Sequence, residues 1–333
     1  MGERLVLVTD HPWPSIDAEV EVLAAVGARP VFAPTGEEQE LVELVREAEA
    51  ILTCFARVTA RVVEAAPRLQ VIGRYGVGVD NIAVDTATAL GIPVTNVPSY
   101  CEDEVAEHAL ALLLALARRV VAFDGGVRAG DWSLARGQPI HRVAGSTLGI
   151  VGFGRIGRAL ARRAQALGLS VLASGPRGGE AELRADGVEP VALDELARRA
   201  DFVSLHVPLS DATRHLVDRD FLAAMKPTAF LVNTARGPVV DREALLEALR
   251  DGWIAGAALD VFEPEPLPPG DPLLALGNLV ATPHVAYYSE ESLVDLGRLA
   301  AENVARVLAG RRPAALVNPG VLAAARWRGL ADG

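Results

Sequence analysis

Residues 148–157 read LGIVGFGRIG and place a G-x-G-x-x-G pattern directly after a short apolar run that is typical of a buried strand. A helical pattern opens at Arg155, and a second predicted strand ends near Ser174. In such a β-α-β unit the first glycine permits a tight turn, the second admits phosphates close to the backbone, and the third lets helix and strand pack closely. The start of the helix adds amide donors and a positive dipole end. The stretch therefore predicts a Rossmann dinucleotide-binding unit.

Short β-rich runs alternate with helical stretches on both sides of this unit, which is typical of parallel sheets covered by helices. The first series predicts strands at residues 4–9, 30–33, 50–54, 69–72 and 92–96. The second series predicts strands at residues 148–151, 170–173, 202–206, 229–233, 256–260 and 279–282. We therefore predict an α/β protein with two doubly wound parallel-sheet domains.

One long helical stretch, from Cys101 to about Gly130, divides the two series, and a further helix is predicted over residues 289–308. The proline-rich residues 263–272 are predicted to form a surface loop, because proline and glycine interrupt regular structure. Two α/β series separated by a long helix predict two domains with a cleft between them.

The composition excludes several classes of partner. Of the 333 residues half are apolar, and the formal net charge is −11. A chain of this size can bury the cores of two domains. Its acidic balance argues against nucleic acid and anionic membranes, which need a basic surface. The longest apolar run, residues 109–117, is too short for a membrane span, and the first residues lack the pattern of a secretory signal, so we expect a cytoplasmic protein.

Metal binding and disulfide chemistry are not predicted. The two cysteines, Cys54 and Cys101, show no paired ligand spacing, and no group of His, Cys and Asp residues has the spacing of a metal site. Four histidines have no setting that suggests chemistry and are predicted to be surface or packing residues: His11, His108, His141 and His215.

The choice between NAD and NADP depends on the end of the second strand of the dinucleotide unit. A site for NAD usually places an acidic residue about 20 positions past the glycine pattern, where it binds the ribose hydroxyls. Here that region reads ASGPR, residues 173–177, and Gly175 takes the place of the acidic residue. Ser174 and Arg177 can instead bind a 2′-phosphate. The sequence predicts NAD or NADP, with NADP preferred, unless Arg177 simply faces solvent.

Two downstream segments carry residues suited to proton and hydride chemistry. Arg236 follows a predicted strand at the sheet edge where ligands bind, and its planar guanidinium matches a carboxylate. His284 lies in the segment TPHVA, and histidine titrates in the range that proton transfer needs. A glutamate beside it would favour the imidazolium. Either Glu263 or Glu265 can serve, and the spacing alone does not choose between them.

These segments resemble the D-isomer-specific 2-hydroxyacid dehydrogenase family over nearly the whole chain. The resemblance begins at residues 74–81, RYGVGVDN, continues through the glycine pattern and ends at the TPH segment. It implies a Rossmann dinucleotide-binding domain, residues 99–288, inserted in a flavodoxin-like substrate domain made of residues 1–98 and 289–333. It also implies reversible, NAD(P)H-dependent reduction of a small 2-oxo acid to the D-2-hydroxy acid.

The resemblance also assigns residues. It implies a catalytic triad of Arg236, Glu265 and His284, and a substrate site formed by Arg236, His284 and the backbone of Val77 and Gly78. The cofactor contacts that we predict from the glycine pattern and from the resemblance are Gly152, Gly154, Arg155, Ile156, Gly157, Ser174, Gly175, Arg177, His206, Val207, Pro208, Thr213, Thr234, Ala235, Arg236, Asp260 and His284. Asp260 can equally be structural.

Two further expectations follow from family resemblance. Residues 128–132 resemble a segment near a dimer interface, so we expect a homodimer. Residues 283–291 also resemble the C-terminal-binding-protein corepressors, and the alternative function is therefore a dinucleotide-sensing binding module with little turnover. The identity of the 2-oxo acid stays open. Four tyrosines are candidates for the wall of the substrate pocket: Tyr75, Tyr100, Tyr287 and Tyr288.

Overall fold

The computed structural model describes residues 4–175 and 180–323. The described strands are β1 (Arg4–Val8), β2 (Ala28–Phe32), β3 (Ala50–Thr53), β4 (Val71–Arg74), β5 (Val94–Thr95), β6 (Thr147–Val151), β7 (Ser170–Ser174), β8 (Glu189–Pro190), β9 (Phe202–Leu205), β10 (Phe230–Asn233), β11 (Gly256–Leu259) and β12 (Leu279–Ala281). The described α-helices are α1 (Asp17–Ala24), α2 (Glu38–Leu44), α3 (Ala60–Glu64), α4 (Val84–Ala89), α5 (Glu102–Ala117), α6 (Val120–Arg128), α7 (Arg155–Ala166), α8 (Glu180–Ala185), α9 (Leu193–Arg199), α10 (Arg219–Ala224), α11 (Arg242–Asp251) and α12 (Glu290–Leu308). Short 3₁₀ turns lie at Val45–Glu47, Leu134–Gly137, Gly237–Val239, Pro272–Ala275 and Pro319–Ala323.

The chain divides into two compact units, one formed by Met1–Tyr100 and Ser289–Gly333, the other by Cys101–Tyr288. The first unit contains a five-stranded parallel sheet in the order β2-β1-β3-β4-β5, which is the flavodoxin-like order. Successive side chains of its central strand β3 enter different cores, Ile51 on one face and Leu52 on the other. Such a strand needs apolar residues at every position, and all four of its residues are buried.

Helix α12 and the segment that follows it up to Ala323 complete the first unit. Helix α12 packs against α1 and β4. The side chain of Asn318 accepts a hydrogen bond from the amide of Val94 at 2.8 Å and donates to the carbonyl of Ile92 at 3.0 Å. The C-terminal segment therefore satisfies backbone groups of the outer strand β5, whose polar groups would otherwise be buried without partners.

The second unit contains a seven-stranded parallel sheet in the order β12-β11-β10-β9-β6-β7-β8. Strand β6 pairs with β7 on one side and with β9 on the other, so the direction in which strands are added reverses between β6 and β9. In doubly wound sheets ligands bind outside the carboxyl ends of the strands at such a reversal. The prediction of an α/β protein with two parallel sheets is confirmed.

The single long helix predicted after Cys101 is wrong. Helix α5 ends at Ala117, and α6 begins at Val120 after Arg119 adopts a left-handed conformation with φ of 53°. Helix α5 presents an apolar face that is buried against the sheet, whereas α6 leaves Val120 and Val121 exposed. The two helices therefore have different surroundings, and the left-handed residue changes the chain direction between them. Sequence patterns also missed the two-residue strand β8.

None of the helices within residues 4–175 and 180–323 combines the length and the apolarity that crossing a membrane requires.

Candidate active site

The glycine pattern forms a turn between β6 and α7 in which backbone segments touch. Gly152 has φ of 95°, and a Cβ atom on it would lie 2.6 Å from the carbonyl oxygen of His206. A Cβ atom on Gly157 would lie 2.6 Å from the carbonyl oxygen of Gly152. Among the described residues, no atom apart from those of Gly154 and its chain neighbours lies within 4 Å of the Cβ position of Gly154, so there is open space at the start of α7. This is the arrangement in which the backbone can approach a pyrophosphate.

The neighbouring residues of the pattern have unequal surroundings. Arg155 is exposed, with its Nε atom 3.5 Å from Oε1 of Glu102, and Ile156 packs against the core of the second unit. Ser174 is half-buried at the end of β7, and its carbonyl accepts a hydrogen bond from the amide of Gly152 at 2.8 Å.

The end of β7 is the place where an acidic residue would indicate NAD. Neither Ser174 nor Gly175, which stand there, carries a carboxylate. Gly175 is exposed and has φ of 141°, a conformation that favours glycine. A Cβ atom there would lie 3.4 Å from the backbone of Gly152. Arg177, which we predict to bind a 2′-phosphate, lies outside the described residues.

The end of β9 contributes the predicted cofactor contacts His206, Val207 and Pro208. Nε2 of His206 lies 2.9 Å from the hydroxyl of Ser204, and burial lowers the pKa of His206 to about 4. The imidazole is therefore neutral at pH 7. The carbonyl of Pro208 accepts a hydrogen bond from the hydroxyl of Thr213 at 2.6 Å, which closes the loop that follows the strand.

Arg236 stands on a turn that a buried asparagine shapes. Asn233, at the end of β10, accepts a hydrogen bond from the amide of Ala235 at 2.9 Å and donates to the carbonyl of Arg236 at 2.8 Å. The hydroxyl of Thr234 is buried on the same turn. Sequence reasoning missed Asn233, although asparagine at a strand end is a known turn signal. The turn holds Arg236 half-buried at the carboxyl edge of the sheet.

A glycine joins this turn to the loop after β11. A Cβ atom on Gly237 would lie 2.1 Å from both the carbonyl carbon and the carbonyl oxygen of Phe262. Only a residue without a side chain allows this contact. The contact sets the segment of Arg236 beside the loop that contains Glu265.

The structure pairs His284 with Glu265 of that loop and not with Glu263. Nδ1 of His284 lies 2.8 Å from Oε2 of Glu265, while the amide of Phe262 donates to Oε1 of the same carboxylate at 2.6 Å. Glu263 is exposed, and its Oε1 lies 3.4 Å from Nη1 of Arg214. The two alternatives that the spacing left open are thus distinguished by geometry.

The electrostatic surroundings of Glu265 favour its charged form. Partial burial acts to raise the pKa of the carboxyl group, but several groups oppose it. The hydrogen bond and charge of His284, the amide of Phe262 and the charge of Arg236 together lower the pKa below its ordinary value. Glu265 is therefore an ionised carboxylate at neutral pH, in contact with an imidazole and near a guanidinium.

Asp260 organises the segment that contains His284. Its carboxylate is fully buried and accepts hydrogen bonds from the hydroxyl of Thr282 at 2.6 Å and from the amides of Val285 at 3.0 Å and Ala286 at 2.9 Å. The carbonyl of Asp260 also accepts from the amide of His284 at 2.8 Å. The described contacts of Asp260 therefore give it a structural role in this segment.

His108, which the sequence predicts to be a surface or packing residue, makes a hydrogen-bond contact that the sequence does not indicate. Its Nε2 atom lies 3.0 Å from the hydroxyl of Thr282 and 3.6 Å from Oδ1 of Asp260. Its position on α5 lies 174 residues before Thr282 in the chain, so no local pattern connects them. Only the packing of α5 against β10 and β11 brings this histidine to the segment.

Val77 and Gly78 belong to the first unit and stay predictions as substrate contacts. Val77 is exposed, and its carbonyl accepts a hydrogen bond from the side chain of Asn96 at 2.7 Å. Tyr75, expected as a wall of the substrate pocket, is instead fully buried in the core of that unit, with its ring 4.9 Å from that of Trp13. The described residues contain no group of acidic, His and Cys side chains that could hold a metal ion.

Comparison with known proteins identifies the family. The family model of the NAD-binding domain of the D-isomer-specific 2-hydroxyacid dehydrogenases matches residues 110–286, more than half of the chain. The chain is also 46% identical to a glyoxylate reductase of Korarchaeum cryptofilum over 286 residues, which cover 85% of this chain and 86% of that protein. The chain belongs to the D-isomer-specific 2-hydroxyacid dehydrogenase family. Membership makes it an oxidoreductase that uses a nicotinamide dinucleotide, and the corepressor alternative has no support.

Solved structures of the same family resemble the chain over almost its full length. An NADPH-dependent glyoxylate/hydroxypyruvate reductase of Sinorhizobium meliloti, in complex with NADP and malonate, is 30% identical with a TM-score of 0.82, covering 98% of each chain. A D-lactate dehydrogenase of Aquifex aeolicus, in complex with NAD and lactic acid, is 30% identical with a TM-score of 0.83, covering 92% of this chain and 96% of that one. Relatives of this chain thus bind either dinucleotide.

Proposed function

We propose that this chain reduces a small 2-oxo acid to the D-2-hydroxy acid, reversibly, with Arg236, Glu265 and His284 as its catalytic residues. The observation that supports this assignment is the 2.8 Å contact between Nδ1 of His284 and Oε2 of Glu265. It joins a proton donor to an ionised carboxylate, beside a guanidinium that can bind the acid group. Hydride transfer to a ketone needs these three functions in one place.

His284 supplies the proton. The carboxylate of Glu265 accepts a hydrogen bond from Nδ1–H, and in the proposed reduction Nε2–H gives its proton to the carbonyl oxygen of the substrate. In the reverse direction the neutral Nε2 accepts the proton of the hydroxyl group. Glu265 thus sets the orientation of the ring that proton transfer requires.

Arg236 binds the carboxylate of the 2-oxo acid. Its guanidinium presents a planar fork that matches the two oxygens of a carboxylate, and this geometry orients the neighbouring carbonyl. The hydrogen bonds of Asn233 to Ala235 and to Arg236 hold the turn in shape before a substrate arrives. Little reorganisation is then needed when the substrate binds.

The residues of the glycine turn fit a nicotinamide dinucleotide. Gly152 and Gly157 make backbone contacts that a side chain would prevent, and Gly154 leaves open space at the start of α7. These residues, with Arg155 and Ile156, would hold the pyrophosphate. When bound, the reduced nicotinamide supplies the hydride that the reduction consumes.

We further propose that NADPH is preferred over NADH. Two features support this preference. Neither Ser174 nor Gly175 carries a carboxylate, and Arg177 follows them in the sequence. A carboxylate at this strand end would bind the free ribose hydroxyls of NAD and repel a 2′-phosphate. The test compares kcat/KM for NADPH and NADH in the wild-type chain and in Arg177→Gln. Equal efficiency with the two cofactors, or a preference for NADH, contradicts the proposal.

The reaction itself is tested by following the absorbance of the reduced nicotinamide. NADH and NADPH are crossed with glyoxylate, hydroxypyruvate, pyruvate and branched, aromatic and phosphorylated 2-oxo acids. Variant His284→Ala, with exposed His141→Ala as the matched control, shows whether turnover depends on the proposed proton donor. Turnover that is lost only in His284→Ala supports the assignment, and chiral analysis of the product checks the D-configuration. Turnover that persists in this variant contradicts it.

We also propose that the chain forms a homodimer. Helix α6 and the segment after it leave large apolar side chains exposed, with Trp132 82% and Leu134 73% accessible. A soluble monomer rarely exposes such a group of side chains together. Sedimentation of the wild-type chain is expected to give a dimer, and Trp132→Ser combined with Leu134→Ser is expected to give a monomer. The exposed Leu274→Ser is the control, and a monomeric wild-type chain contradicts the proposal.

We propose the cytoplasm as its location. Both cysteines, Cys54 and Cys101, are buried and form no disulfide, which is the state that a reducing compartment maintains. Fractionation of cells that express the full chain tests this location, and recovery in a secreted or membrane fraction contradicts it.

A further inference from the structure

A hydrogen-bonded chain lies behind His284 and begins on a different part of the fold. Nε2 of His108 lies 3.0 Å from the hydroxyl oxygen of Thr282, and this hydroxyl lies 2.6 Å from Oδ1 of Asp260. Asp260 in turn holds the amides of Val285 and Ala286, the two residues that follow His284. The chain thus connects helix α5 to the segment that contains the proposed proton donor.

The direction of these hydrogen bonds follows from the groups themselves. An ionised carboxylate only accepts hydrogen bonds, so the single proton of the Thr282 hydroxyl is donated to Asp260. The oxygen of Thr282 then has only lone pairs left for its other neighbour. His108 must therefore donate through Nε2–H. A neutral ring can do so only in the tautomer that carries its proton on Nε2, whereas the imidazolium carries a proton there in any case.

The segment needs such support because of its backbone. His284 has φ of 56°, a left-handed conformation that residues with a side chain rarely adopt. Such a conformation persists only where the surrounding contacts hold it. Amide hydrogen bonds to Asp260 on the C-terminal side and the hydroxyl of Thr282 on the N-terminal side enclose this residue. Both depend on the position of the same carboxylate.

We propose that His108 is a positioning residue for the reduction. Its donation to Thr282 holds the hydroxyl on Asp260, and through Asp260 it keeps His284 in the backbone conformation that directs the ring to Glu265. This role rests on the proposed function of His284 as the proton donor. A histidine that only filled space on α5 would not need its Nε2 atom at hydrogen-bond distance from Thr282, and its side chain is still 24% exposed.

The test uses variants that separate the hydrogen bond from the volume of the side chain. His108→Leu removes the donor, while His108→Gln keeps an N–H group at the distance of Nε2. Thr282→Val removes the hydroxyl and keeps the shape, whereas Thr282→Ser keeps the hydroxyl. His141→Leu, at an exposed histidine of the same unit, is the matched control. Each variant is measured for kcat, for KM of the 2-oxo acid and for thermal unfolding.

We expect kcat to fall about tenfold in His108→Leu and in Thr282→Val, which corresponds to the loss of one buried hydrogen bond, with KM changed little. His108→Gln and Thr282→Ser are expected to recover most of the activity. The double variant His108→Leu/Thr282→Val is expected to be no slower than Thr282→Val alone, because both changes break the same chain. Wild-type kcat in His108→Leu, or no recovery in His108→Gln, overturns the proposal.

A second measurement does not depend on turnover. Amide hydrogen exchange of the peptide that spans residues 282–286 is followed by mass spectrometry, in the absence of substrate. We expect faster exchange of this peptide in His108→Leu and Thr282→Val, wild-type exchange in His108→Gln, and no change in a peptide from β6. If the wild-type chain reduced no 2-oxo acid, the proposed function would fail, yet the exchange data would still decide whether His108 holds the segment. Unchanged exchange in His108→Leu overturns the positioning role.

Discussion

His284 and Glu265 are 19 residues apart in the chain, and the fold brings Nδ1 of the histidine to 2.8 Å from Oε2 of the glutamate. The two residues stand on different loops at the carboxyl edge of one parallel sheet. The loop of Glu265 follows β11, and the segment of His284 follows β12, the strand that pairs with β11. Adjacent parallel strands end at the same edge, so residues that follow them meet although the intervening chain is long.

Replacing Glu265 by glutamine tests the function of this pair. Glutamine keeps the size of the side chain but removes the negative charge that faces Nδ1 of His284. We expect kcat for reduction to fall by about 10- to 100-fold, which is less than general acid catalysis contributes as a whole, because His284 itself is kept. Glu263→Gln is the matched control, because Glu263 stands in the same loop and contacts Arg214 instead. Equal losses in the two variants would argue against a specific role of Glu265.

Two glycines of the dinucleotide turn are expected to respond differently to replacement by alanine: Gly152 through the stability of the fold, and Gly154 through cofactor binding. Gly152 has φ of 95° and a carbonyl oxygen 2.6 Å from its Cβ position, whereas Gly154 has open space there. Gly152→Ala should destabilise the fold by about 1–3 kcal/mol. Gly154→Ala should leave thermal unfolding unchanged while the Kd of the dinucleotide rises about tenfold or more, since the new methyl group stands where the phosphates approach. Calorimetry and a binding titration measure both effects. A cofactor affinity of wild-type strength in Gly154→Ala contradicts the assignment of this turn.

Gly237→Ala is expected to disturb the active site through the backbone. The new Cβ atom would lie 2.1 Å from the carbonyl group of Phe262, so the turn of Arg236 and the loop of Glu265 must move apart. We expect a loss of about 1–3 kcal/mol in the free energy of unfolding, together with a large loss of kcat/KM. Gly277→Ala is the control, because no described atom beyond its chain neighbours lies within 4 Å of its Cβ position. Wild-type stability and activity in Gly237→Ala would contradict the packing described above.

His206 is expected to make stability depend on pH. Burial lowers its pKa from 6.5 to about 4, so the folded state favours the neutral ring. Between these two values the unfolded chain binds more protons than the folded one, and stability therefore rises with pH. The stability that the folded state gains from the neutral ring of His206 is fully present above pH 6.5 and is lost as the pH falls toward 4.

Denaturant unfolding at pH 5 and at pH 8 measures this contribution. We expect the difference in the free energy of unfolding between the two pH values to be smaller in His206→Gln than in the wild-type chain by roughly 1–2 kcal/mol. His141→Gln, at an exposed site, should keep the wild-type difference. An unchanged pH dependence in His206→Gln would show that the folded protein does not hold this ring neutral.

The sequence predicts most of the strands to within two residues, because buried parallel strands need continuous apolar runs. The sequence does not predict strand β8, which is only two residues long, or the break between helices α5 and α6. The break depends on a left-handed conformation at Arg119, and arginine gives no local signal for it. The sequence misplaced Tyr75 as a candidate for the pocket wall for a different reason, since an aromatic residue next to a predicted binding turn can equally belong to the core.

The sequence alone determined the two α/β series, the glycine turn and the residue types that proton and hydride chemistry requires. These features are local, because they follow from hydrophobic periodicity and from the backbone freedom of glycine. Spacing along the chain left Glu263 and Glu265 open as partners of His284, and only the family resemblance favoured Glu265. Tertiary structure shows the contact of His284 with Glu265, and it alone showed that His108 reaches Thr282. Such contacts depend on which strand ends are adjacent in the sheet and which helix packs on them, and no spacing along the chain encodes that adjacency.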